Sequence, residues 1–82
     1  MPTIRMYYAT WCPDCWHAKR FLDERGITYE TINVDEQLEA AALIIEKNNG
    51  KRKVPTFEVE GRWFSASPFD PDKLAKQLKL AS

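Results

Sequence analysis

The chain carries two cysteines, Cys12 and Cys15, and both fall in one stretch, Thr10-Trp11-Cys12-Pro13-Asp14-Cys15-Trp16. Two thiols at this spacing can hold part of a metal site or can exchange electrons by opening and closing a disulfide. One Cys-x-x-Cys supplies two ligands where structural zinc takes four. The nearby His17 falls on a helical register that aims it away from the first sulfur. Redox exchange is therefore the better reading. In such a pair the first sulfur attacks a substrate disulfide, and the second displaces the mixed disulfide to close a local bridge. A thiol reacts as its thiolate, and at an ordinary pKa near ~8.5 only about 3% is ionised at pH 7, so something in the fold must lower that value.

The flanking pattern supplies that something. Upstream, Thr3-Ile4-Arg5-Met6-Tyr7-Tyr8 reads as a strand with Ile4 and Met6 on one face and Arg5 and Tyr7 on the other, and a central strand could bury both. Downstream, Ala18, Phe21 and Leu22 keep helical spacing up to Gly26, which predicts a helix from about Pro13 to Arg25 closed by a C-terminal glycine. Cys12 then stands where strand turns into helix. Pro13 suits the first helical position, where a missing N–H costs nothing, and leaves Cys12 at the N-cap with unpaired backbone donors near its sulfur. Those donors and the helix dipole favour an anion. Cys12 is accordingly expected as the nucleophile and Cys15, shielded within the first turn, as the resolving thiol. Asp14 works against them: a carboxylate beside the thiols should hold the Cys12 pKa above that of a version with a neutral spacer.

Further along, residues 27–34 alternate as a strand, and Asp35 offers a cap for a second helix over roughly Glu36 to Asn48, with Leu38, Ala41, Ala42 and Ile45 on one face and a stop at Asn49-Gly50. The strand-helix-strand start is long enough for a right-handed parallel crossover. After the basic run Lys51-Arg52-Lys53, the stretch from Val54 to Glu60, a turn at Gly61, and Arg62-Trp63-Phe64-Ser65 read as a β-hairpin. One of Trp63 and Phe64 should face the core and the other not. Pro55 cannot donate to a ladder, which places it at an edge or in a cis peptide. Ser67-Pro68-Phe69 is loop, with Phe69 as core or loop anchor. Asp70-Pro71 caps and opens a last helix carrying Leu74, Ala75, Leu78 and Leu80. Trp11 is expected as an exposed contact, Trp16 as helix packing or a rim contact, and His17 as a surface helix residue.

Length and charge narrow the function. The 82 residues make one domain over positions 1–82 with a small core. Lysine plus arginine equals aspartate plus glutamate, at 12 each, so no global field recruits nucleic acid or an acidic membrane. No apolar run approaches the roughly 18 residues that span a bilayer, and the N-terminus lacks a signal-peptide layout. The expectation is a cytoplasmic monomer, where a lone Cys-x-x-Cys is catalytic or metal-binding rather than a structural disulfide.

Taken together, Met6-Tyr7-Tyr8-Ala9-Thr10-Trp11-Cys12-Pro13-Asp14-Cys15, the Val54-Pro55 dipeptide after Gly50-Lys51-Arg52-Lys53, and the polar Ser65-Ala66-Ser67 before the last helix resemble the glutaredoxin family of the thioredoxin superfamily over essentially the whole chain. The Gly26-Ile27-Thr28-Tyr29 and Asn33-Val34-Asp35 phrasing looks most like mycoredoxins and the glutaredoxin-like electron donors of ribonucleotide reductase. The resemblance implies a thioredoxin-like α/β fold, β-α-β-α-β-β-α, with a four-stranded mixed sheet flanked by three helices. It implies a thiol–disulfide oxidoreductase acting on protein disulfides or on mixed disulfides with small thiols. It implies a cis Pro55 that presents the Val54 backbone to a bound chain, Lys51 and Arg52 near a ligand carboxylate, and Trp11, Pro13, Ser65, Ala66 and Ser67 around the bound thiol. Two positions depart from the pattern: Ala9 stands where many members carry a cation, and Ser65-Ala66 replaces Gly-Gly. Glutathione, mycothiol or bacillithiol as co-substrate, or recharging by thioredoxin reductase, all stay open, as does an iron–sulfur cluster or metal carrier as a rival of another class.

Overall fold

The computed structural model describes residues 3–79. β1 (Ile4–Tyr8) runs into α1 (Pro13–Glu24), followed by β2 (Glu30–Asn33), α2 (Leu38–Lys47), β3 (Thr56–Val59), β4 (Arg62–Ser65) and α3 (Pro71–Gln77). The four strands form one mixed sheet in the order β2-β1-β3-β4, with β1 parallel to β2 and antiparallel to β3. This is the expected architecture, and it makes β1 a central strand buried on both faces. Met6 packs on one face with Ala18, Phe21, Leu22, Phe57 and Leu74, whereas Tyr7 packs on the other with Val34 and Ile44. Helices α1 and α3 cover the first face and α2 the second.

Local chemistry explains the ends of α1. Cys12 is its N-cap and Pro13 its first residue. Gly26 takes a left-handed φ of 66°, which lets the amides of Gly26 and Ile27 return to the carbonyls of Asp23 and Leu22 at 3.1 and 3.0 Å. That closure consumes residues 27–29, and Tyr29 OH donates to Asp23 at 2.8 Å. The second strand therefore spans 30–33 rather than the expected 27–34.

Four further expectations need correction. Helix α2 starts at Leu38 with Gln37 as an N-cap lacking a side-chain bond, because the Asp35 carboxylate is turned elsewhere. Its buried residue is Ile44, with Ala40, Ala41 and Leu43 packed around it, while Leu38 is 80% exposed; the run from Ala40 to Ile45 is apolar all round, so spacing alone could not set the phase. Trp63 and Phe64 both pack, on opposite faces of the sheet, Trp63 with the Tyr7 cluster and Phe64 with Phe57. The hairpin begins at Thr56 instead of Val54. The Asp70 carboxylate caps α3 by accepting from the amides of Asp72 and Lys73 at 3.1 and 3.2 Å. Leu74 is buried and Leu78 packs against it as expected, while Leu80 lies outside the described residues.

Candidate active site

The dithiol sits at the carboxyl end of β1, where the chain turns into α1. Cys12 has the extended backbone of an N-cap (φ −145°, ψ 102°), and its sulfur accepts the Cys15 amide N–H at 3.0 Å. The two cysteines are joined at disulfide distance with their Cα atoms 5.2 Å apart. Exposure separates them: Cys12 is half-buried, while Cys15 is 4% exposed. A sulfur that receives an N–H at a helix start is stabilised as thiolate, and one sealed beneath it is not.

Opposite Cys12 stands the loop before β3. The Val54–Pro55 peptide is cis, as the resemblance implied, and the Val54 carbonyl lies 3.5 Å from Cys12 Sγ. A second cis peptide, Ser67–Pro68, was not foreseen. The Pro55 carbonyl accepts the Ala66 N–H at 2.9 Å, which joins this loop to the one after β4. Ser65 ends the β4 ladder opposite Thr56, and the Ser67 hydroxyl donates to Asp14 Oδ2 at 3.3 Å. The Ala66 amide and the Ser67 hydroxyl are therefore engaged inside the protein.

Asp14, expected as a carboxylate beside the thiols, also makes contacts that its neighbours in sequence do not suggest. Its Oδ1 accepts the Phe69 N–H at 3.1 Å while Oδ2 takes Ser67, so the side chain reaches across to the loop before α3. Of the basic run, Lys51 and Arg52 are both exposed, but Arg52 is held by Asp35 at 2.7 Å. Asp35 also accepts the Thr10 N–H at 3.0 Å. These bonds, with the Thr10 amide the larger influence and Arg52 next, hold the Asp35 carboxyl below its ordinary pKa. Asp35 thus ties the segment before Cys12 to the loop before Val54. Nothing local in the sequence signals this link, because its partners lie 25 and 17 residues away.

Trp11 is 95% exposed beside Cys12 and Trp16 is 56% exposed, so both aromatic neighbours of the motif face outward. A cleft of about 150 Å³ beside the cysteines is lined by Met6, Ala9, Thr10, Trp16, Lys19 and Thr31. His17 is an exposed helix residue that stacks on Phe69 with ring centroids 5.6 Å apart.

Residues 4–64 match the family model described as Glutaredoxin. The chain is 32% identical over 81 residues to Mycoredoxin 1 of Corynebacterium glutamicum, covering 99% of this chain and 100% of that one. It is 34% identical over 73 residues to the glutaredoxin-like protein NrdH of Lactococcus lactis, covering 89% and 96%. The solved structure of the glutaredoxin-like NrdH-redoxin of Escherichia coli superposes with a TM-score of 0.76 at 31% identity, over 98% of this chain and 99% of that one. With a dithiol at the start of α1, a cis proline facing it and this fold beneath them, the chain belongs to the glutaredoxin family and is a thiol–disulfide oxidoreductase.

Proposed function

We propose that the protein reduces protein disulfides, or mixed disulfides between proteins and low-molecular-weight thiols, through a two-step dithiol exchange. The Cys12 thiolate attacks one sulfur of the substrate disulfide, and the other sulfur leaves as a thiolate that takes a proton from water. Cys15 then loses its proton and attacks Cys12 Sγ. The second substrate sulfur leaves, and a Cys12–Cys15 disulfide remains, so two electrons have passed to the substrate. The observation that carries this reading is the Cys15 N–H on Cys12 Sγ at the helix start, which supports Cys12 as the sulfur that ionises. Exposed Trp11 and the Val54 backbone offer an apolar contact and a hydrogen-bonding edge to a bound chain, with Pro13, Lys51 and Ser65 at the margin. The setting is a reducing compartment such as the cytoplasm, and the protein works as a monomer.

The recharging partner divides into two readings. A small thiol such as glutathione, mycothiol or bacillithiol is the first. Recharging by thioredoxin reductase is favoured by specific features here: Arg52 is engaged by Asp35, the Ala66 N–H is spent on Pro55, and Ala9 brings no charge. The E. coli NrdH-redoxin is likewise described as having a thioredoxin-like activity profile. NADPH consumption with a disulfide substrate tests both, with each small thiol plus its reductase in one arm and thioredoxin reductase alone in the other. Turnover is expected in one arm at least and in neither with Cys12→Ser. Equal turnover by Cys12→Ser refutes the proposal. Metal analysis and the visible spectrum of protein purified without oxygen test the rival reading as a metal or cluster carrier.

A further inference from the structure

Besides standing beside the sulfurs, the motif's spacer residue Asp14 holds a distant loop. From α1, three side chains on one stripe, Asp14, His17 and Phe21, all engage the segment before α3. Asp14 accepts from Ser67 Oγ and Phe69 N at 3.3 and 3.1 Å. His17 stacks on the Phe69 ring, and Phe21 meets it edge-on at 6.2 Å. The same segment is joined to the cis-proline loop by the Ala66 N–H on the Pro55 carbonyl. The preceding carbonyl, Val54, lies 3.5 Å from Cys12 Sγ.

These contacts form a closed ring that starts and ends in the motif. It runs from Cys12 through Pro13 to Asp14, across to Ser67 and Phe69, back through Ala66 to Pro55 and Val54, and so to the Cys12 sulfur. We propose that Asp14 is a positioning residue that sets the gap between Cys12 and the Val54 wall, and hence the fit of an extended substrate chain, by anchoring the Ser67–Phe69 loop. A carboxylate is suited to this task because its two oxygens accept two donors at once, and a charged acceptor strengthens each bond. A spacer that acted by charge alone would need neither partner.

The inference rests on the proposed disulfide reduction and deepens it. Its test compares Asp14→Asn, Asp14→Leu and Ser67→Ala in the steady-state reduction of a disulfide-linked peptide, with the Cys12 thiolate titrated in parallel. Asp14→Asn and Asp14→Leu remove the same charge and should shift that titration alike. Asn keeps a carbonyl oxygen for Phe69 N, whereas Leu keeps nothing. Positioning predicts that KM rises about tenfold in Asp14→Leu, roughly threefold in Ser67→Ala and by an intermediate amount in Asp14→Asn, with kcat little changed. A wild-type KM in Ser67→Ala, or equal KM values for Asp14→Asn and Asp14→Leu, overturns it. Hydrogen exchange gives a readout apart from turnover: the Phe69 and Ala66 amides should exchange faster in Asp14→Leu than in wild type, and unchanged exchange also overturns the proposal. A wild-type protein that reduced no disulfide would sink the functional reading, while the exchange data would still decide whether the ring holds the wall.

Discussion

Titration of the reduced protein should ionise Cys12 well before Cys15, by an amount that follows from the helix start. The Cys15 N–H lies 3.0 Å from Cys12 Sγ, and a hydrogen bond to a charged acceptor contributes roughly 1.5–3 kcal/mol. The helix terminus adds about 0.3–1 kcal/mol for an anion. Half-burial of Cys12 and the Asp14 carboxylate two residues on oppose these in part. The favourable contributions exceed the opposing ones, so Cys12 should titrate below the ordinary thiol value of ~8.5. The assay uses Cys15→Ser, in which Cys12 is the one thiol left, and follows ultraviolet thiolate absorbance and the rate of iodoacetamide alkylation against pH. In Cys12→Ser the remaining Cys15, 4% exposed, should titrate above ~8.5, since burial disfavours the thiolate. A Cys12 midpoint at or above ~8.5, or a Cys15 that ionises first, would refute the reasoning.

Two further variants probe the scaffold. Phe57 is fully buried and stacks on Phe64 with centroids 5.5 Å apart, so Phe57→Ala should cost about 3–5 kcal/mol in urea unfolding, a large part of the stability of a domain this size; a loss below about 1 kcal/mol would contradict the packing described. Tyr29 is pushed up to about 12 from 10.0, first by burial and then by its bond to Asp23. The unfolded chain releases this proton near 10 while the folded chain keeps it to about 12, so the contribution is complete below the lower value and is lost as pH rises through the upper one. Denaturant melts across that window should show a fall in wild-type stability that Tyr29→Phe reduces, and identical pH slopes for the two proteins would refute the assignment.

Features readable along the chain are those whose cause is local. Cys12-Pro13 marks a helix start because a cap and a proline define it within two residues, and Gly26 marks the helix end because the left-handed turn there suits glycine. Asp70-Pro71 works in the same way. The cis Val54–Pro55 peptide was legible through the family likeness, since a proline permits the cis form without demanding it. What escaped the sequence lies in contacts between distant segments. Asp35 reads as a helix cap by its neighbours, yet Thr10 and Arg52 compete for its carboxylate and win. Asp14 reads as a charge beside two thiols, but its partners are 53 and 55 residues away. For α2, an unbroken apolar run carries no phase information, and the sheet face that selects Ile44 is built from strands elsewhere in the chain.

The division of labour between the two sulfurs is tested most directly by capture. Cys15→Ser, reduced and mixed with a disulfide substrate, should stop at the mixed disulfide, and peptide mapping by mass spectrometry should find the substrate thiol attached to Cys12. An adduct on Cys15 in Cys12→Ser, with none on Cys12 in Cys15→Ser, would contradict the account.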